Sequence, residues 1–236
     1  MPAPTIDGTA NATKSTASFG TVALTTTHTD DVIVIVAYCE TPSATPPTVS
    51  SVTGGSLTFA LRCRSNSSTH GNMEVWWAAA PTALSAVTFT VTYTGGFDDA
   101  TFLAYGVNGC NTAAPWDTNA GLPQKQSYSG AATPSFTLNT DQANDLILFS
   151  NGVLTSSAGI PTDPTGFSIV TSASNGGGAA FASSRSAKKA VTATQSGVTV
   201  VASGAGNGGN GGECILDALT AAGPPPTAAI EQFFFF

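Results

Sequence analysis

The chain has 236 residues, of which only 9% are charged, and its formal charge is -7 with seven Lys and Arg in total. Ordinary globular proteins carry roughly 25% charged residues, and phosphate backbones select clustered cations, so the composition excludes a phosphate-tracking nucleic-acid binder and a binder of anionic membrane surfaces. No apolar run approaches the roughly 20 residues that cross a bilayer as a helix, whereas the length suffices for one large β domain or two small ones.

Residues 1–18 are small and polar without periodicity and read as an N-terminal arm. Met1-Pro-Ala-Pro-Thr-Ile-Asp7 shows neither a basic nor an apolar leader segment, so assembly in the cytoplasm, or processing before this numbering, is the expectation. From there strands are predicted over 21–26, 31–38, 49–53, 56–63, 72–79, 86–94 and 101–107, with Gly54-Gly55 and Gly95-Gly96 as the breaks. In Val87-Thr-Phe89-Thr-Val91-Thr-Tyr93 every second residue is apolar, the mark of a strand with one buried and one wet face. Val32-Ile-Val-Ile-Val36 is apolar at every position, which predicts a central strand covered on both sides, by the other half of the chain or by another subunit.

Residues 109–130, rich in Gly, Asn, Pro and Ser and containing Pro115-Trp-Asp117, read as a linker. Further strands are predicted over 134–139, 145–150, 166–172, 178–184, 187–193, 197–202 and 213–220, with the tract Gly204–Gly212 as an exposed loop. No segment carries a helical apolar stripe.

The chain also echoes itself. Val22-Ala-Leu24, Asp31 and the apolar run after it recur as Phe136-Thr-Leu138, Asp145 and Leu146-Ile-Leu-Phe149. Val87-Thr-Phe-Thr-Val91 recurs as Val198-Thr-Val-Val201, and Thr101-Phe-Leu-Ala104 as Glu213-Cys-Ile-Leu216. A nearly constant offset is what duplication of a β unit produces. The expected fold is therefore all-β: two tandem, pseudo-symmetric antiparallel β-sandwich halves over 19–108 and 131–222, as one continuous sandwich or two, with a flexible arm over 223–236.

No catalytic constellation stands out, and no cofactor or metal motif is present, so an enzyme is not expected. His28 and His70 lack neighbours at ligand spacing, and Cys39, Cys63, Cys110 and Cys214 are too far apart for a zinc site. A disulfide between Cys39 and Cys63 is one possibility, and buried free thiols the other. The paired carboxylates Asp30-Asp31 and Asp98-Asp99 stand at strand starts, where Asp serves turns, with a hard-cation site as the alternative. Lys188-Lys189 reads as a solvated strand edge, and the glycosylation sequons at Asn11 and Asn66 are short enough to arise by chance in so Thr-rich a chain.

Two features point to partners. Strand alternation places Met73, Val75 and Trp77 in the core and turns Asn72, Glu74 and Trp76 outward, so Trp76 is a candidate contact residue, with Trp116 beside it for stacking on a glycan. The terminal Phe233, Phe234, Phe235 and Phe236 would be a liability in water, since each buried large apolar side chain gains about 1.5–3 kcal/mol. Following Pro224-Pro225-Pro226, they are expected to anchor in a partner's groove.

Thr29-Asp-Asp31 before an all-apolar strand, Val52-Thr-Gly-Gly-Ser-Leu-Thr-Phe59, Glu74-Val-Trp-Trp77 and Tyr105-Gly-Val-Asn108 followed by Pro115-Trp-Asp117 together resemble a diffuse group of β-sandwich proteins of bacteriophage virions and bacterial surfaces. The likeness covers about residues 20–220, and the Phe-rich end and the glycine tract lie outside the pattern. It implies a jelly-roll-like or immunoglobulin-like sandwich and a virion structural protein, such as a capsid decoration or head-tail accessory protein. Its partners would be other virion proteins and copies of itself, without nucleic acid or membrane. A carbohydrate-binding or adhesive surface module is the alternative.

Overall fold

A computed structural model describes residues 2–41, 45–67, 71–129, 132–155, 160–175, 181–202 and 209–223. Among these the protein is all-β, with thirteen strands: β1 (Thr5–Leu24), β2 (Asp31–Glu40), β3 (Val49–Thr53), β4 (Ala60–Ser67), β5 (Gly71–Ala80), β6 (Val87–Asn108), β7 (Gln124–Ser129), β8 (Ser135–Leu138), β9 (Leu146–Thr155), β10 (Ser168–Ser174), β11 (Phe181–Ala190), β12 (Val198–Val201) and β13 (Gly209–Leu219). The first sheet runs β1-β6-β2-β5-β4, with β3 also paired to β6, and the second runs β10-β11-β9-β13-β7. A separate ribbon pairs β8 with β12. Taken in chain order, the strands of both five-stranded paths come first, fifth, second, fourth, third: β1-β6-β2-β5-β4 and β7-β13-β9-β11-β10.

The two sheets pack face to face. Val32, Val34, Val36 and Tyr38 of β2, Met73 and Val75 of β5 and Leu103, Tyr105 and Val107 of β6 meet Leu146 and Leu148 of β9 and Ile215 and Leu219 of β13 in one core. Alternation then sends Ile33, Ile35, Ala37 and Cys39 to the opposite face of β2, where a second core forms with Val22, Leu24, Val52, Phe89 and Val91. A third core lies beyond the second sheet, where Ile147 and Phe149 of β9 meet Phe136, Leu138 and Val200 of the β8–β12 ribbon. The all-apolar runs are thus covered on both sides, and for β2 the inner cover is the other half of the same chain.

The outer cover of the first sheet comes from its own long strands. Thr5 to Ala17 of β1 pair with Asn108 to Phe97 of β6, and beyond a register shift Phe19 to Leu24 pair with Thr92 to Val87, to which β3 adds. A pair of strands that changes layer at a bulge turns one ribbon into both a sheet edge and a lid. Gly20 marks the bend, because a Cβ there would fall inside the Phe102 ring.

Several expectations are corrected here. Residues 5–18 are strand rather than arm, because their ladder partner is the backbone of β6 and needs no apolar period. The expected strands 86–94 and 101–107 are one strand bent near Gly95-Gly96, and 178–184 and 187–193 merge into β11. The linker 109–130 contains β7, and Cys110 and Trp116 bridge to Ala221 and Leu219. Lys188 and Lys189 lie on β11, which is flanked by β9 and β10 and is no edge. All four cysteines are free and buried. Cys39 and Cys63 cannot join, since β5 separates their strands and they face different cores.

Candidate functional site

Trp77 and Trp116 meet at one corner of the sandwich, with Trp76 on the opposite face of β5, and the outer face is not filled as alternation alone suggests. Met73, Val75 and Trp77 do face the core between the sheets. Asn72 and Glu74 do not reach water: both are fully buried, because the layer-changing ribbon covers that face. Glu74 is a hub, accepting hydrogen bonds from Arg64 Nε (2.8 Å) and Nη2 (3.3 Å), Asn72 Nδ2 (2.9 Å), the Val49 amide (2.7 Å) and Trp76 Nε1 (2.9 Å). Trp76 is half-buried over the outer core, with its polar edge committed to that hub.

Trp116 is brought against Trp77 instead, edge to face, with ring centroids 6.5 Å apart. The Arg62 guanidinium stacks 5.0 Å from the Trp116 ring centre and forms a bidentate pair with Asp217, at 2.8 and 3.2 Å. Asp217 is buried, which pushes its carboxyl up, and the Arg62 charge pulls back. Trp77 forms a wall of a hollow of about 580 Å³ that Ser56, Thr58, Thr82 and Thr112 also line. Trp116 lines a second hollow of about 350 Å³ with Asn111, Thr118 and Gln142. Phe233, Phe234, Phe235 and Phe236 lie outside the described residues, as does His70.

The carboxylates are regrouped by the fold. Asp30, with φ 59°, serves the turn, as expected of a residue that tolerates left-handed backbone. Its neighbour Asp31 is fully buried and faces Asp7, 24 residues earlier in the chain, within hydrogen-bonding reach. The second half repeats this: Asn144 has φ 64°, and the buried Asp145 that follows it faces Asp117. Asp7 accepts from the Thr27 amide (2.8 Å), the His28 amide (2.7 Å) and the Thr27 hydroxyl (2.6 Å). Asp117 accepts from the amides of Asn119 (2.7 Å), Asp141 (3.0 Å) and Gln142 (2.9 Å). At the far end of β2, Glu40 is buried beside Asp99 and Asp98 with neither oxygen hydrogen-bonded, while Asp99 accepts from Ser15 (2.7 Å) and Asn175 (2.6 Å).

Among the described residues no group of three or more His, Cys, Asp or Glu is arranged to hold a metal ion. No known protein family, curated protein or solved structure matches this chain.

The sequence reading missed the Asp7–Asp31, Asp117–Asp145 and Arg62–Asp217 pairings, all of which join distant segments. A signal for two of them was present, since Asp31 and Asp145 recur at the same place before each all-apolar run.

Proposed function

We propose that the chain is a virion structural protein that works by multi-copy assembly, as a capsid decoration or head-tail accessory protein. The observation that carries this reading is β10. It ends the second sheet, it bears no charged residue, and Ile169 on it is 46% exposed. Natural edge strands are guarded by charge, proline or a cover; an edge with neither charge nor proline and with an exposed isoleucine suits strand addition by a neighbouring subunit. All three arginines are turned inward: Arg62, Arg64 and Arg185 each pair with a carboxylate of their own chain.

On this reading the partners are copies of itself and other virion proteins, and Phe233 to Phe236 anchor the chain in a groove of one of them. The test is binding to assembled particles by the full chain, by Ile169→Lys and by a chain lacking residues 230–236. Loss of binding in either variant supports the reading; particles that bind both variants as well as the wild type overturn it.

A second reading, a carbohydrate-binding module, is favoured by the hollow beside Trp77. Its lining combines an indole wall with the hydroxyls of Ser56, Thr58, Thr82 and Thr112 and contains no charged residue, which suits a neutral sugar stacked on the ring. Glycan binding lost in Trp77→Ala and kept in Trp76→Ala is the expected result; absence of binding to any glycan excludes it.

A further inference from the structure

Asp31 and Asp145 are buried carboxyls in a situation that ionisation would make untenable. Asp31 Oδ1 accepts one hydrogen bond, from Asn108 Nδ2 at 3.0 Å, while its Oδ2 has no hydrogen-bond partner. Asp145 is more extreme, with both oxygens buried and neither hydrogen-bonded. Each faces an aspartate whose own oxygens are already occupied by donors: Asp7 by three and Asp117 by amides from two segments. A second negative charge, desolvated and set against the first, is heavily disfavoured. A proton on the deeper partner resolves both problems, because its O–H then donates to the neighbouring carboxylate.

The donor pattern also argues for a proton rather than a cation. Amide N–H groups already occupy Asp117 Oδ1 and Oδ2, and a hard cation needs six or more free oxygens.

We propose that each pair shares one proton, carried by Asp31 and by Asp145, and that these two protons latch the 25–30 and 139–144 turns onto the segments bearing Asp7 and Asp117. One end of the sandwich is therefore acid-fastened and loosens as the medium becomes alkaline. Both latches sit at strand starts, and both fasten the turn that leads from an outer-layer strand into a central one: β1 to β2 and β8 to β9.

The proton affinities run the same way. Burial, with Asp7 adding, pushes Asp31 up to about 6 despite the Asn108 hydrogen bond, and burial with Asp117 pushes Asp145 up to about 7. Burial works against Asp7, yet the Thr27 hydroxyl and the two amides hold it well below the usual range. The groups facing Asp31 are Asp7 on β1, Thr26 before β2, Asn108 on β6 and the Cys110 thiol after it. His28 stands exposed beside Asp7, 3.1 Å from its Oδ2. Facing Asp145 are Asp117 and Thr140, with Asp217 and its Arg62 beyond Asp117. A folded-state proton affinity raised above the ordinary value of 3.8 adds stability that is complete below that value and lost as pH rises through about 6 to 7.

The test is thermal melting from about pH 5 to pH 9 of the wild type, His28→Gln and the double variant Asp31→Asn with Asp145→Asn, in which the amide donates as the protonated acid would. The wild type should lose several degrees between about pH 5 and pH 8, the His28 variant should follow it, and the double variant should lose clearly less over that range and melt higher at the alkaline end. A double variant with the wild-type slope, or one that melts lower than the wild type at about pH 8, overturns the proposal. Calcium that raises the alkaline melting temperature of the wild type, but not of the double variant, overturns it in favour of a bound cation. Carbon NMR of the wild-type aspartate carboxyls gives an answer that does not depend on the variants folding: two must titrate between about pH 5 and pH 8, and none doing so refutes the shared protons.

Discussion

Arg62 on β4 and Asp217 on β13 join the two sheets through two near-parallel hydrogen bonds, of 2.8 and 3.2 Å, and the same guanidinium covers the Trp116 ring. One ion pair thereby fastens the sheets and orders the tryptophan corner. Asp217 is 3% exposed, so removing its partner strands a buried charge. Arg62→Met should cost about 3–5 kcal/mol in chemical denaturation, and adding Asp217→Leu should recover most of that loss. A single variant as stable as the wild type would show that the pair contributes nothing to the joint.

Gly152 on β9 lies directly against the inner face of the first sheet. A Cβ on it would enter the Tyr38 ring and lie 2.8 Å from the Met73 methyl. Gly152→Ala should destabilise the protein by about 1–3 kcal/mol, measured by urea denaturation. Tyr38 is fully buried, so the ring has nowhere to retreat.

Glu40 contributes its own pH dependence, distinct from the aspartate pairs. Burial, then Asp99 and Asp98, push its carboxyl up to about 7, and no hydrogen bond compensates. Its contribution to stability is complete below the ordinary value of 4.5 and disappears as pH rises through about 7. Glu40→Gln should therefore be neutral in acid and stabilising at about pH 8, on the order of 1–2 kcal/mol by denaturant titration.

The four thiols should be silent in the native protein. Burial pushes Cys63 up to about 11, Cys39 and Cys110 higher still, and Cys214 well above the ordinary thiol value. A thiol reagent at neutral pH should label the folded chain at least about 100-fold more slowly than the unfolded one, and reductant should leave the melting temperature unchanged. Rapid labelling of any one cysteine in the folded protein would contradict its burial.

How much of this was legible in the sequence depends on range. The period of two in Val87 to Tyr93 and the unbroken apolar run at Val32 announced strands with one and two buried faces, and the fold has both. Residues 5–18 of β1 were not legible as strand, because their Thr, Ser and Ala, laddered on β6, leave no apolar rhythm. Trp76 shows the same boundary from another side. Alternation fixed which face of β5 it occupies, but only the bend of β1 and β6 determines what lies over that face. The aspartate pairs and Arg62–Asp217 depend on register between segments far apart in the chain, and no local pattern encodes register at that distance.

In each five-stranded path the first strand pairs with the last, β1 with β6 and β7 with β13, and this sets an order in time. As the chain is synthesised, β1 waits for residues up to Asn108 before its ladder can close. The first sheet can then be complete in its hydrogen bonds while Val32, Val34, Val36, Leu103 and Tyr105 still face water, since Ile215 and Leu219 come last. The nascent chain thus passes through a stage in which a finished sheet displays a bare apolar face, and the speed with which the second half is delivered sets how long that face is open to the wrong neighbour.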